Sequence, residues 1–282
     1  MRLTGRARGL LAHCREIGDV DDSSRWAAGK GASVLSESTT LVVASSSRQQ
    51  LALRLGLWAG IVGPVFFLLV VLLDGWLTPG YSAMTEVISF LELGPTGWIQ
   101  SLNFVLTGLL FILFAAGFFQ WMRLRSSARS SSWWLYATAV LIALSGVGMI
   151  IAGAILPEAP GATQVTVRYI LHTIAFSVIF LSLGLACLFV GSKFIRTPGW
   201  RIHGVYSLLA SLFPIFAALG NLYSSFVVEN ASSALVSATT SQPANGGLVN
   251  RIIVAVAFAW YVILASRLLL RIREGRIGQR QA

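Results

Sequence analysis

The chain has 282 residues, of which 55% are hydrophobic and 11% charged, with a mean hydropathy of +0.74 and a net charge of +10. A soluble domain carries roughly 25% charged residues, so the composition excludes an ordinary soluble protein and points to one that crosses a bilayer. The positive charge does not indicate nucleic acid. The cations sit in short loops between apolar runs and in the termini, where they act as topology signals and as contacts to anionic headgroups.

Residues 1–50 are polar, charged and rich in Ser and Thr. They are too poor in apolar residues to build a core and are expected to form a disordered tail. No apolar stretch follows the basic start, so they do not read as a signal peptide. Cys14 in this tail and Cys187 in an apolar run fit neither a disulfide framework nor a metal site. No cofactor is implied.

Residues 51–272 are expected to form an all-α domain of six transmembrane helices in one antiparallel bundle, followed by a basic tail, 273–282. The first span, about 55–73, is uncharged, contains Pro64 and ends at Asp74-Gly75. At about 1.5 Å per residue it covers roughly 28 Å, close to a hydrocarbon core of about 30 Å. The second, 98–122, has Trp98 and Trp121 as interfacial aromatics at its ends. The third, 133–156, carries Gly146, Gly148, Ala152 and Gly153, small residues that let helix backbones approach closely in lipid. It is expected at the centre of the bundle. The fourth is 168–192, and Pro198-Gly199 signals a turn after it. The fifth, 203–228, contains Pro214, which frees the carbonyl of Ala210 and predicts a kink. The loop to the sixth, 250–270, is rich in Ser, Thr, Asn and Gly and is expected to be mobile. The cations alternate between loops, so that 19 of the 21 Lys and Arg residues fall on one side of the six spans. Exported loops lack positive charge, which places both termini in the cytoplasm.

Polar and charged groups at membrane depth are costly and need a reason. Most lie toward the outer side: Asp74, Glu86, Glu92, Glu158, Arg168, His172 and Arg251, with Asn103 and Asn221 inside spans two and five. No span has a carboxylate at its centre, which argues against a proton relay or a sodium-coupled transporter. Arg168 and Arg251 begin spans four and six, where the helix N-terminus is already positive. Each therefore calls for an anion, either an outer-loop carboxylate or a lipid phosphate. His172 lies one turn after Arg168. Asn103 and Thr107, four apart, read as hydrogen-bonding links to a neighbouring helix. His203 reads as an interfacial residue.

Several short motifs carry a likeness. Gly63-Pro64, Pro79-Gly80-Tyr81-Ser82, Ile88-Ser89, Gly97-Trp98, Asn103-Phe104 with Gly108, Pro157 and Leu171-His172 together resemble the prokaryotic membrane family known as domain of unknown function 998. The resemblance spans about residues 55–270 and implies a six-helix integral protein of the prokaryotic plasma membrane with no assigned activity. The family pattern has an acidic residue almost directly after Ser89, where this chain places Phe90-Leu91 before Glu92.

Three functions fit these features. The first is binding of an anionic lipid or amphiphile at an outer-leaflet pocket, with Arg168, His172 and Arg251 on the headgroup and Tyr81 and Trp98 at the interface. The second is a structural or regulatory membrane partner without chemistry of its own, whose protein partners the sequence does not identify. The third is an intramembrane hydrolase using Asp74, Glu158 and His172. No catalytic spacing motif supports the third. Membrane lipids are the expected partners.

Overall fold

A computed structural model describes residues 22–125, 133–159, 166–229 and 244–280. Among them the elements are α1 (Asp22–Leu77), a short 3-10 helix (Ile88–Leu93), α2 (Gly97–Arg125), α3 (Trp133–Ala154), α4 (Val167–Phe194), α5 (Arg201–Glu229) and α6 (Gly246–Arg280). Each α-helix contains a stretch long and apolar enough to cross a membrane; in α1 this is Ser47–Leu77. The six stretches agree with the six spans expected from the sequence. Their ends are shifted by a few residues, most at the start of the first.

The chain divides into two units, Met1–Leu51 and Ala52–Ala282, and the interhelical packing belongs to the second. Asp22–Gln50, placed in the polar tail by composition, are helical as the first part of α1. Residues 1–21 lie outside the described residues. So do Arg129 of the second loop and 230–243 of the loop expected to be mobile.

Small residues set the helix contacts. Gly56 of α1 lies against Gly117 of α2, and Gly63 against Leu110 and Phe111. As the α1 number rises the α2 number falls, so these two helices run antiparallel. Gly108 of α2 meets Gly146 of α3, while Gly153 meets Ser101 and Phe104, again in opposite senses. Gly148 faces Ala175 and Ile179 of α4. The glycine-rich half of α3 thus serves two partners, which is why small residues appear on more than one of its faces. Gly184 and Gly191 of α4 pack on Ile215 and Leu208 of α5. Lipid tails are as apolar as leucine, so such close approaches gain dispersion contacts where the hydrophobic effect gives little.

Aromatic rings fill the interior. Phe67 (α1) meets Phe104 (α2) and Phe258 (α6) edge-on, each at 5.2 Å between centroids. Phe111 stacks on Tyr261 at 4.1 Å. The Tyr261 hydroxyl lies 2.5 Å from Ser145 Oγ of α3, and that hydroxyl donates its own proton to the Ile142 carbonyl. Tyr261 must therefore be the donor, and it ties α6 to α3. Trp260 Nε1 donates to Ser207 of α5 at 3.0 Å. Trp121, expected at the interface, is buried against Trp200 with centroids 5.6 Å apart. Trp98 is exposed as expected.

One Pro-Gly turn follows α1 and another joins α4 to α5. Tyr81 N–H donates to Thr78 O around Pro79-Gly80, and Trp200 N–H to Thr197 O around Pro198-Gly199. The glycines have φ of +78° and +75°, the left-handed value that the third position of a type II turn requires. The helices run unbroken through Pro64 and Pro214.

A Cβ at position 117 would stand 2.7–2.8 Å from backbone atoms of Gly56 and Leu57, and backbone yields less readily than a side-chain tip. Gly117→Ala is expected to lower the unfolding free energy by about 1–3 kcal/mol. Gly220→Ala, with open space at its position, should leave the midpoint unchanged or raise it. Thermal midpoints in detergent read both. An unshifted Gly117→Ala protein contradicts the α1–α2 contact.

Candidate functional site

The loops 78–96 and 155–159, the starts of α4 and α6 and the last turns of α5 meet at the cation-poor end. They enclose a cavity of about 310 Å³ to which all six helices contribute. Its floor is apolar, with Phe67, Phe104, Met149, Phe180 and Phe258 among the residues. Its polar rim includes Glu158, His172, Thr173, Asn221 and Asn250.

The chain positions each rim group. Thr166 caps α4: its hydroxyl accepts from Tyr169 N–H at 3.1 Å and donates to the Glu158 carboxylate. The cap satisfies one free N–H of the helix start, and the carboxylate sits favourably at that positive end. His172, less than two turns along, places Nδ1 2.8 Å from the Ile155 carbonyl. A carbonyl only accepts, so Nδ1 carries the proton and Nε2 is the nitrogen left for the cavity. Asn221 donates through Nδ2 to Thr173 O at 3.1 Å and Ser177 Oγ at 3.0 Å, which leaves its carbonyl oxygen uncommitted in these bonds. Asn250 Oδ1 accepts from Ile88 N–H at 3.1 Å.

That last bond belongs to a larger junction. Arg251 Nη1 donates to the carbonyls of Ala83 and Glu86 at 2.8 Å and of Gly247 at 3.0 Å, and Nη2 donates to the Tyr81 hydroxyl. The guanidinium also lies 5.4 Å from the Tyr81 ring centroid. Leu248 N–H donates to Met84 O at 3.0 Å. A Cβ at Gly247 would strike Glu86 O at 2.5 Å, so only glycine allows α6 to start this close to the loop. The anion that Arg251 called for is a set of loop carbonyls. The junction holds Val87–Phe90, which form one wall of the cavity. Burial raises the Tyr81 phenol above its ordinary pKa, so it stays protonated near neutral pH.

The other residues singled out by sequence fall elsewhere. Arg168 and Trp98 are exposed and do not line the cavity. Neither does Asp74, which is buried near the end of α1, with Oδ1 accepting from Thr96 Oγ1 at 2.7 Å. The proposed hydrolytic set is therefore split: Glu158 and His172 share the cavity, and Asp74 stands outside its lining. Asn103 donates to Phe67 O of α1 at 3.2 Å, the interhelical link its position suggested, whereas Thr107 Oγ is buried without a partner among the described residues. Glu92 is buried beside Ser101, whose hydroxyl donates to it at 3.0 Å; burial pushes its pKa up to about 8, which favours the protonated carboxyl near neutral pH. Sequence reading missed the aromatic floor and Asn250, because nothing local distinguishes Phe67, Phe104 or Phe258 from other apolar residues of their helices.

The sequence model of the family described as "Protein of unknown function (DUF998)" matches residues 61–267. The chain belongs to this family, as the motifs at Gly63-Pro64 through Leu171-His172 suggested. No curated protein and no solved structure matches it.

Proposed function

With that membership as the premise, we propose that the chain is a multi-pass membrane protein that binds an amphiphile in the cavity at its cation-poor end. The convergence of an aromatic floor and a polar rim in one cavity carries this reading. An apolar tail would lie on Phe67, Phe104 and Phe258, and a polar head would meet His172 Nε2, Glu158 and the Asn221 carbonyl. These groups include one carboxylate and two acceptors, while Arg168 and Arg251 are not in the lining. The head is therefore better matched by a hydroxyl or amine donor than by a bare phosphate. The volume is near the lower end of small-molecule pockets, roughly 300–1,000 Å³, which suits a single chain or small ring system better than a two-chain phospholipid.

The test is mass spectrometry of small molecules that survive purification in mild detergent. Ala152, buried and lining the cavity, is replaced by Phe to fill it, and His172→Ala removes the rim imidazole. The wild-type protein should retain a single-chain amphiphile, and both variants should retain it about tenfold less, the equivalent of about 1.4 kcal/mol. Thermal midpoints identify a variant that has lost its fold. Equal retention by folded variants and wild type would sink the reading.

The charge asymmetry supports a plasma-membrane orientation with both termini cytoplasmic and this cavity outside. Ser82→Cys should then react with an impermeant maleimide added to intact cells. Labelling only after lysis would reverse the orientation.

A further inference from the structure

The opposite end of the molecule carries a second cluster that the amphiphile reading does not use. Arg267 and Arg271, one turn apart on α6, both stand over the Trp200 ring, each 5.8 Å from its centroid. Trp200 is buried and packed by Phe194 at 4.5 Å, Trp121 at 5.6 Å and His203 at 5.7 Å. The ends of α2 and α4, the turn at Trp200 and the start of α5 thus build one aromatic seat beneath two guanidinium groups of α6. Gly199, at the positive-φ turn, brings its carbonyl 3.4 Å from Arg271 Nη2, and a Cβ there would stand 3.1 Å from that nitrogen.

Among the described residues the charge of this seat is only partly balanced. Arg271 pairs with Glu274 at 3.1 Å, and the Glu274 side chain is half exposed. Arg267 has neither a carboxylate nor a hydrogen-bond partner among the described residues, and the Nε atoms of both arginines are buried without one. Lys193, Arg196, Arg201 and Arg273 lie on the same end of the chain's helices. Two partly buried cations converging on one ring repel each other, and an anion bound between them removes that cost. Arginine forks fit phosphate oxygens two at a time, and a tryptophan seat is at home at headgroup level.

We propose that Arg267, Arg271 and Trp200 form a binding site for a phosphate group, supplied by the headgroup of an anionic phospholipid in the leaflet that this end faces. Basic pockets between transmembrane helices take such headgroups. The site is separate from the amphiphile cavity in position and in sign of charge, so each proposal can fail without the other.

The experiment places the full chain in nanodiscs of phosphatidylcholine with a minor fraction of phosphatidylglycerol. It then counts phosphatidylglycerol retained per protein by native mass spectrometry after transfer to detergent. Arg267→Gln and Arg271→Gln should each retain it about fivefold more weakly, and the exposed Arg273→Gln should retain it as wild type does. Thermal midpoints in pure phosphatidylcholine discs show that each variant is folded. Should Arg267→Gln fail to fold, Arg267→Lys takes its place, since it keeps the charge and loses the fork. A second arm adds inorganic phosphate to lipid-free protein. A stabilisation lost in both arginine variants there, without selective phosphatidylglycerol retention, assigns the same site to a soluble phosphate and overturns the lipid source. Equal phosphatidylglycerol retention in all four proteins, with no response to phosphate, overturns the site.

Discussion

Arg251 is the residue on which the cation-poor end depends. Inside a membrane protein, loop carbonyls and helix starts must find partners within the chain, since lipid offers none. One guanidinium gives hydrogen bonds to three carbonyls and a phenol, and so joins the loop 81–87 to the first turn of α6. Tyr81 reinforces the same turn through Glu86 O and Val87 O, at 3.3 and 3.2 Å. The wall Val87–Phe90, and with it the cavity, stands where this junction puts it. Arg251 is thus a positioning residue.

The cavity is also continuous with the packing of the interior. Phe67, Phe104 and Phe258 belong both to the edge-on aromatic cluster and to the floor. That cluster leads through Phe111 and Tyr261 to the Ser145 hydroxyl of α3. Rings held on several sides cannot collapse inward without breaking those contacts, so the floor is preformed. The glycine contacts of α2 with α1 and α3 fix the spacing of the helices that carry these rings. The Trp200 seat repeats the logic at the other end, with arginines where the first site has a carboxylate and amides.

Much of the fold was legible because membrane insertion writes itself into long apolar runs. The small residues of α3 announced close packing, and the structure shows them against α2 and α4. Arg251 was legible as a residue in need of an anion, yet its partners are backbone carbonyls of a loop some 165 residues away, which no side-chain inventory reveals. His172 was found because an imidazole at membrane depth is conspicuous. The burial of Trp121 left no local signal, because it depends on Trp200, a residue of another segment. The cavity floor left no sequence signal: a phenylalanine facing a pocket and one facing lipid look alike until the helices are assembled.

The most direct test of amphiphile binding in the cavity is photo-crosslinking with a single-chain amphiphile that bears a diazirine in its tail, followed by peptide mapping. Adducts are expected on Phe104, Met149 and Phe258, removed when an excess of the unlabelled amphiphile is added. Adducts confined to outward-facing residues such as Leu72, Leu209 and Phe216, 60–68% exposed, and insensitive to competitor would contradict it.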